Sequence, residues 1–346
     1  MAEYTEGRYA AIDIGTVTCR MLVADVKAGR VVPCAREYAI TNLGEGVDAT
    51  GVLKPEAMAR VMDAIDRYVG VRDALSSAEH PVRRTMVAAT SAARDAENAD
   101  EFAALLAARG LKLAVIPGEQ EAALSFRGAS AECGAGEGDI MVVDVGGGST
   151  EVVCGPAGGS PWAARSFDIG CRRATERFAK SDPPAPTEIA QMRQWMRGAF
   201  DAYFEGLDGF DRVKRMVAVA GTATSVVSIR EEMAVYDSDR VHGSTVTQEE
   251  LGAVRARLAA LPLEQRRQVV GLDPGRAPVI VAGLVILEEV MRAAEMDRFT
   301  VSESDILQGM VLEMAKGERA WPHGSSPFAT KGPDCWGKLG ARAVEW

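Results

Sequence analysis

The sequence lacks the features of a secreted, disulfide-bonded or zinc-binding protein. Its six cysteines, at positions 19, 34, 133, 154, 171 and 335, include no CxxC pair, and several fall in apolar stretches. This pattern favours reduced, mostly buried thiols over a disulfide framework or a zinc site. The N-terminal residues MAEYTEG have neither the basic nor the apolar segment of a signal peptide. We therefore expect a cytoplasmic protein.

Long apolar runs and an excess of positive charge are absent as well. The longest apolar run, APVIVAGLVILEEVM, is interrupted by Glu288 and Glu289 and is too short to span a bilayer, so it predicts a buried helix and no membrane partner. The formal net charge of −10 and the pI of about 5.1 argue against DNA as a partner. Aromatic residues form only 6% of the chain, so few side chains are available for stacking on a nucleobase.

A pattern typical of a phosphate-binding hairpin is present in MVVDVGGGSTEVV, residues 141–153. The apolar residues before Asp144 predict a buried strand, and EVVCG predicts the strand that returns beside it. Glycines between the strands permit positive φ and the close approach of a ligand, and successive backbone N–H groups in such a turn can bind an anion. The predicted phosphate-binding residues of this turn are Gly146, Gly147, Gly148, Ser149 and Thr150.

Two carboxylates, Asp144 and Glu151, flank this turn. Carboxylates beside a phosphate repel it unless a cation lies between them. Mg²⁺ takes oxygen ligands and pairs with phosphates, so the pattern predicts Mg²⁺, or Mn²⁺, at Asp144 and Glu151. An ordinary tight hairpin is the alternative interpretation, although a two-residue turn needs only one or two glycines.

A second copy of the pattern, YAAIDIGTVTCRMLVADV, occupies residues 9–26. When the copies are aligned on their aspartates, Asp13 matches Asp144. An internal repeat of this kind suggests two related domains, each with one phosphate hairpin, and a ligand site in the cleft between them. The residues predicted to bind phosphate in this first copy are Gly15, Thr16, Thr18 and Arg20.

The length and the order of predicted elements indicate an α/β fold in two domains. A chain of 346 residues is long for one ordinary core and suits two. A hairpin followed by strand–helix units is predicted in each half, with the second hairpin beginning near residue 139. We expect domains over residues 1–126 and 127–316, followed by a mobile tail over residues 317–346 that has no periodicity and many Gly, Pro and Ser residues.

An ordered series of motifs resembles the Ppx/GppA phosphatases, which are exopolyphosphatases and guanosine pentaphosphate phosphohydrolases of the actin-like ATPase superfamily. The motifs are AIDIGTVTCRML, ATSAARDAEN, VIPGEQEAALSFRGA, VVDVGGGSTEVV, DIGCRR, AVAGTATS, RAPVIVAGLVILEEVM and SESDILQGMVLE. The resemblance covers residues 8–316 and implies two ribonuclease-H-like domains around a cleft. GEQEAALSFRG is its most specific part, because kinases of the superfamily lack that glutamate. By family analogy alone, it also implies a homodimer.

The resemblance implies roles for individual residues. Glu121 matches the family's catalytic base, which would deprotonate the water that attacks the terminal phosphorus; the alternative is a first-turn glutamate favoured by the helix dipole. Arg94 matches an arginine that holds phosphate in a second turn. Asp144 and Glu151 match the acidic residues expected to hold the metal. The superfamily's nucleotide-side loop corresponds to Gly221, Thr222 and Thr224 of GTATS, which here could instead line the channel.

Two departures from the family pattern affect substrate preference. The first turn carries Val17 where the family usually has asparagine, and valine cannot donate a side-chain hydrogen bond. Long family members also continue into an added helical region, which this sequence does not show, so the track for a long polymer is expected to be short.

The leading hypothesis is a metal-dependent exopolyphosphatase that prefers short inorganic polyphosphate to long chains and to guanosine pentaphosphate. Two alternatives remain open, a guanosine pentaphosphate 5′-phosphohydrolase and a non-catalytic sensor that binds guanosine alarmones in the same cleft. A kinase of the superfamily would need a second-substrate pocket and an aspartate base, and neither is identified in the sequence.

Overall fold

Two β-sheets form the framework of the protein in a computed structural model, which describes residues 4–133 and 138–317. All but the first residue of the tail predicted over residues 317–346 lies outside the described residues. The strands of the first sheet are β1 (Gly7–Ile14), β2 (Thr18–Lys27), β3 (Arg30–Ile40), β4 (Val82–Ala89) and β5 (Leu113–Val115). Those of the second sheet are β6 (Asp139–Val145), β7 (Thr150–Pro156), β8 (Ala163–Phe167), β9 (Val213–Val219), β10 (Thr245–Thr247) and β11 (Arg298–Val301). Their orders are β3-β2-β1-β4-β5 and β10-β11-β9-β6-β7-β8.

Helices pack on both sheets and complete the α/β fold predicted from the sequence. In the first half they are α1 (Val47–Thr50), α2 (Pro55–Ala74), α3 (Ser91–Arg94), α4 (Ala99–Ala107) and α5 (Gly118–Glu132). In the second half they are α6 (Cys171–Phe178), α7 (Pro186–Glu205), α8 (Ala220–Arg230), α9 (Ser238–Val241), α10 (Gln248–Ala259), α11 (Leu263–Arg266), α12 (Ile280–Ala293) and α13 (Ile306–Ala315), with a 3₁₀ turn at Phe210–Arg212. None of the helices in the described ranges is long and apolar enough to cross a membrane.

The internal repeat of the sequence is also a repeat of the fold. In the first sheet β1 and β2 form an antiparallel hairpin in which Asp13 lies opposite Arg20, and β1 also pairs in parallel with β4. In the second sheet β6 and β7 form the same hairpin with Asp144 opposite Glu151, and β6 pairs in parallel with β9. Both aspartates therefore lie near the carboxyl end of a central strand, where α/β sheets bind their ligands.

Helices α5 and α13 connect the two halves. Leu124 of α5 belongs to the apolar cluster on the first sheet, whereas Phe126 belongs to the cluster on the second. A Cβ atom added at Gly128 of α5 would overlap the backbone oxygen of Asp305, just before α13, so the helices can cross this closely only with glycine there. The predicted domain boundary between residues 126 and 127 falls inside α5, and it stays a prediction.

The predicted buried helix is α12, and its two glutamates are buried with it. Burial alone would raise the pKa of Glu289, but hydrogen bonds from Arg197, Arg292 and Arg193 lower it to about 2. Glu288 accepts hydrogen bonds from Arg255 as well. Paired in this way, the two carboxylates can interrupt an apolar run and still lie in the core.

Candidate active site

The turns of the two hairpins face each other across a narrow cavity. A single backbone bond closes each turn in the same way, from Gly15 N to Thr18 O at 2.8 Å and from Gly146 N to Ser149 O at 3.0 Å. The cavity between them encloses about 70 Å³. The predicted site residues that line it are Gly15, Thr16, Thr18, Arg20, Glu121, Asp144, Gly146, Gly147, Gly148, Ser149, Gly221 and Thr222.

Glycine is required in the second turn because neighbouring residues lie too close for a side chain, and not because the backbone conformation there excludes other residues. The expectation of positive φ at these positions is wrong, because the described glycines with positive φ are all elsewhere in the chain. A Cβ atom added at Gly147 would lie 2.7 Å from Thr16 Cβ, and one added at Gly148 would lie 2.9 Å from Ser91 Cβ. Since real Cβ atoms do not approach so closely, any side chain here would force the two turns apart.

Glu121 lies in the first turn of α5, with its carboxylate buried against an arginine. Arg94 Nη1 donates to Glu121 Oε2 at 2.7 Å and to the backbone oxygen of Ile116 at 2.9 Å. Burial raises the pKa of Glu121 to about 7, and Arg94 opposes that shift only in part. A carboxylate with a pKa near 7 is suited to accept a proton from water at neutral pH.

Asp144 and Glu151 share one face of the second sheet because they lie directly opposite each other on β6 and β7. Ser125 Oγ donates to Asp144 Oδ2 at 3.1 Å, and Ser166 Oγ donates to Glu151 Oε1 at 2.7 Å. The second oxygen, Glu151 Oε2, is buried and has no hydrogen-bond partner among the described residues. Burial raises the pKa of Asp144 to about 6 and that of Glu151 well above its ordinary value.

These two carboxylates have the chemistry of a partial metal site. Within residues 4–133 and 138–317, no three His, Cys, Asp or Glu side chains are gathered closely enough to hold a metal ion by themselves. The unpartnered Glu151 Oε2 and the raised pKa values indicate a place where a positive charge is missing. Mg²⁺ is commonly bound by one or two carboxylates together with waters and substrate phosphates, so Asp144 and Glu151 fit Mg²⁺ or Mn²⁺ held jointly with a phosphate ligand.

Several residues predicted to bind phosphate, and one residue of the predicted nucleotide-side loop, already have protein partners. Arg20 donates to Asp13 Oδ2 at 2.7 Å and to Asp305, so a phosphate would have to share this guanidinium with two carboxylates. Thr150 Oγ1 donates to the backbone oxygen of Ile169 at 2.5 Å, which fixes the end of the hairpin. Thr222 Oγ1 donates to the backbone oxygen of Val145 at 3.1 Å.

A second and larger cavity of about 610 Å³ adjoins the first. Both cavities are lined by Arg20, Ala220, Gly221 and Arg276, so they lie side by side, and Thr224 lies in the larger one only. Arg276 Nε donates to Tyr38 Oη at 3.1 Å, and across the cavity Tyr236 donates to Glu303. The remaining lining is a mixture of apolar and charged side chains that includes Met21, Met233, Leu272, Leu307, Arg36, Glu37, Asp273 and Asp305.

Sequence reasoning did not assign a role to some residues of this region. Asp13 was visible through its alignment with Asp144 in the repeat, and it lines the cavity. No local sequence pattern marks Ser125 or Ser166, because each donates a hydrogen bond to a carboxylate that belongs to a different helix or strand, Asp144 and Glu151 respectively. Arg276 stands in the motif RAPVIVAGLVILEEVM, but only the fold places it beside Tyr38.

Comparison with known proteins agrees with this architecture. A model of the Ppx/GppA phosphatase family matches residues 22–318. Exopolyphosphatase 2 of Mycobacterium tuberculosis is 39% identical over 322 residues, which cover 89% of this chain and 98% of that protein. A guanosine-5′-triphosphate,3′-diphosphate pyrophosphatase of Photobacterium profundum is 29% identical over 88% of this chain and 59% of its own length. The crystal structure of an exopolyphosphatase-like protein, 32% identical, superposes with a TM-score of 0.82 over 90% of this chain and 98% of that chain.

Proposed function

Because this chain belongs to the Ppx/GppA phosphatase family, we propose that it is an exopolyphosphatase, which hydrolyses the terminal phosphoanhydride bond of inorganic polyphosphate. The observation that carries the proposal is the buried Glu121 carboxylate, which opens into a cavity formed by two phosphate-type turns. A relative named exopolyphosphatase that is 39% identical over nearly its whole length supports the substrate class.

In this mechanism the terminal phosphate lies between the two turns. Glu121 accepts a proton from water while the water oxygen attacks the phosphorus, and the bond from that phosphorus to the chain breaks. Backbone N–H groups and hydroxyls of the turns hold the phosphate oxygens, and Arg94 keeps Glu121 in place through its 2.7 Å contact. Bound Mg²⁺ would neutralise charge on the phosphate oxygens and the leaving group.

The charges around the larger cavity favour short chains over long ones. A polyphosphate that extends beyond the turns enters a region in which Arg20, Arg36 and Arg276 face four carboxylates. Those carboxylates are Glu37, Asp273, Glu303 and Asp305. A long polyanion gains little from such a lining, because attraction and repulsion nearly cancel. We therefore infer that only the phosphates nearest the turns contribute strongly to binding.

A second candidate function is the hydrolysis of guanosine pentaphosphate, and the larger cavity favours it. Its volume of about 610 Å³ is sufficient for a nucleoside, and Tyr38 and Tyr236 supply aromatic surfaces. The low aromatic content of the chain argued against a base pocket, but the fold brings these two tyrosines together from β3 and from the loop after α8. The similarity to a guanosine-5′-triphosphate,3′-diphosphate pyrophosphatase supports the same alternative.

The test compares kcat/KM for short polyphosphate, long polyphosphate and guanosine pentaphosphate at one Mg²⁺ concentration. We expect short polyphosphate to be the best substrate. Tyr236→Ala should change kcat/KM for short polyphosphate by no more than about twofold. It should lower kcat/KM for guanosine pentaphosphate, since one base–aromatic stacking contact is worth about 1–3 kcal/mol. The neighbouring Val235→Ala, at a side chain that is 84% exposed, is the matched control.

Three outcomes would contradict the proposal. A clear preference of the wild type for guanosine pentaphosphate, reduced by Tyr236→Ala, would establish the second candidate function. A preference for long chains would refute the argument from cavity charge. Binding of guanosine alarmones without hydrolysis of any of the three compounds would identify a sensor.

A further inference from the structure

Asp305 lies immediately before α13 and uses its two carboxylate oxygens in different contacts. Asp305 Oδ1 accepts a hydrogen bond from the backbone N–H of Leu307 at 3.0 Å, which caps the first turn of the helix. Asp305 Oδ2 accepts a hydrogen bond from Arg20 Nη1 on β2. A helix cap requires only an oxygen acceptor, and asparagine or serine supplies one as well as aspartate does. The cap therefore does not explain why residue 305 carries a charge.

The ion pair with Arg20 leaves that charge unexplained as well, because Arg20 already has a carboxylate partner. Arg20 Nε and Nη2 both donate to Asp13 Oδ2, at 3.2 and 2.7 Å. Asp305 brings a second carboxylate to the same guanidinium, so the three ionised side chains together have negative charge in excess. The side chains of Asp13 and Asp305 are only 7% and 6% exposed, and a buried excess charge costs free energy. The neighbouring cavities indicate that this charge acts on a ligand.

Asp305 lines the larger cavity, whereas Arg20 lines both that cavity and the cavity between the two turns. A polyphosphate whose terminal phosphate lies between the turns would place its following phosphates in the larger cavity, next to this ion pair. Asp305 is the buried member of the four carboxylates there, and the other three are half-buried. Because water and salt screen a buried charge least, Asp305 should repel those phosphates more strongly than the other three carboxylates do.

The ion pair also withdraws Arg20 from a phosphate. A guanidinium binds phosphate best through two parallel hydrogen bonds, but Arg20 already donates from Nε, Nη1 and Nη2 to carboxylates. Arg276 is shared by the same two cavities, and its Nε donates to the neutral hydroxyl of Tyr38 at 3.1 Å. Tyr38 leaves the charge of Arg276 in place, whereas the two carboxylates compensate the charge of Arg20. Without the charge at residue 305, Arg20 would become a second cation for the phosphates that follow the terminal one.

We propose that Asp305 is a specificity-determining residue, which occupies Arg20 and thereby weakens the binding of the phosphates that follow the terminal one. The proposal rests on the proposed exopolyphosphatase function and deepens it, because it assigns the preference for short chains to one side chain. The effect is cumulative, since every phosphate in the larger cavity is repelled by the same buried charge. A long chain places more phosphates there than a short chain does, so Asp305 weakens the binding of a long chain more.

Asp305→Asn tests the proposal because it removes the charge and keeps an oxygen that can cap α13. Initial rates with Mg²⁺ are measured for inorganic triphosphate and for long polyphosphate. The variant should lower KM for long polyphosphate about tenfold, the effect of one charge-assisted hydrogen bond, and KM for triphosphate no more than about threefold. The kcat values should stay within about twofold of the wild type, because Glu121 and both turns are unchanged. Damage to the fold would instead lower kcat or raise KM for both substrates.

Asp25→Asn is the matched control, because it removes a comparable ion pair at the other end of the same hairpin. Arg8 on β1 lies opposite Asp25 on β2, and Arg8 Nε donates to Asp25 Oδ1 at 2.7 Å. Their side chains are 15% and 14% exposed, compared with 17% and 6% for Arg20 and Asp305. Asp25→Asn should leave both KM values unchanged. Asp305→Ser, which also keeps a capping oxygen, gives a second reading of the lost charge if Asp305→Asn fails to fold.

The results separate the role of Asp305 from the proposed function. A KM for long polyphosphate that falls at unchanged kcat, and falls less for triphosphate, supports the assignment. KM values that are the same in Asp305→Asn as in Asp25→Asn, or that change equally for the two substrates, would overturn it and leave the hydrolase intact. Failure of the wild type to hydrolyse either compound would overturn the proposed function itself. Equilibrium binding of long polyphosphate would then decide the role of Asp305, with tighter binding by Asp305→Asn supporting it and equal binding refuting it.

Discussion

One variant, Glu121→Gln, tests both the proposed role of Glu121 as the general base and the free-energy cost of burying its charge. Glutamine has nearly the same shape, and its side-chain oxygen can still accept from Arg94, which donates at 2.7 Å in the wild type. It cannot accept a proton from water. Turnover should therefore fall by a factor on the order of 10² to 10⁴, while substrate binding survives.

The same variant should be more stable than the wild type in the absence of metal. Burial raises the pKa of Glu121 from 4.5 to about 7, so the folded protein disfavours the ionised carboxylate. The contribution of such a carboxyl group to the free energy of unfolding is fully present below its unfolded-state pKa. That contribution is lost as the pH rises through the folded-state pKa. Since glutamine cannot ionise, Glu121→Gln should gain up to about 3 kcal/mol over the wild type at pH 8 and nothing below about pH 4.5.

Two measurements check this prediction. Phosphate release from short polyphosphate with Mg²⁺ gives the loss of turnover, and urea unfolding of the metal-free proteins at pH 8 and pH 4.5 gives the stability difference. Glu119→Gln changes a half-buried glutamate two residues earlier on α5 and should alter neither quantity. Near-wild-type turnover in Glu121→Gln would remove this residue from the mechanism. A stability gain that is the same at both pH values would refute the account of its buried charge.

Two further predictions concern the metal and the helix crossing. Chelation of divalent cations should abolish phosphate release, and added Mg²⁺ should restore it. Asp144→Asn should raise the Mg²⁺ concentration for half-maximal activity at least about tenfold. Full activity after exhaustive chelation would refute the metal assignment. Gly128→Ala should lower the free energy of unfolding, measured in urea, by about 3 kcal/mol, because its Cβ would overlap the backbone of Asp305. Gly70→Ala on α2 is the comparison, since no atom lies within 4 Å of its added Cβ, and it should raise the free energy of unfolding by about 0.5–1 kcal/mol. Equal effects of the two glycine substitutions would show that the helix crossing yields without strain.

The predictions that succeeded concern features whose parts are close in the sequence. Asp13 and Arg20 are seven residues apart, as are Asp144 and Glu151, and each pair lies opposite across its hairpin. A short apolar run, an aspartate and a glycine turn specify such a hairpin locally, so comparing its two copies was sufficient to predict two related sheets with a cavity between their turns. The family resemblance, which the matching family model confirms, rests on the same local motifs.

The features that were missed depend on contacts between distant segments. Arg276 and Tyr38 are 238 positions apart, and they meet only because the two halves close on each other. Ser125 and Ser166 reach the site carboxylates from α5 and β8. The prediction about glycine φ failed for a related reason. The requirement for glycine at position 147 comes from Thr16 on the facing turn and not from the backbone of the hairpin itself.

The charge of the cavity between the two turns opposes the proposed binding of a polyanion. Asp13, Glu121 and Asp144 line a space in which Arg20 is already shared between two carboxylates. A bare phosphate chain would meet more negative than positive charge there, and the cost of such repulsion grows as water is excluded. A phosphate chain that carries Mg²⁺ brings the missing positive charge with it. We therefore expect the rate to follow the concentration of the magnesium–polyphosphate complex. Free polyphosphate in excess over Mg²⁺ should then inhibit, and a rate that depended only on total polyphosphate would contradict this account of the site.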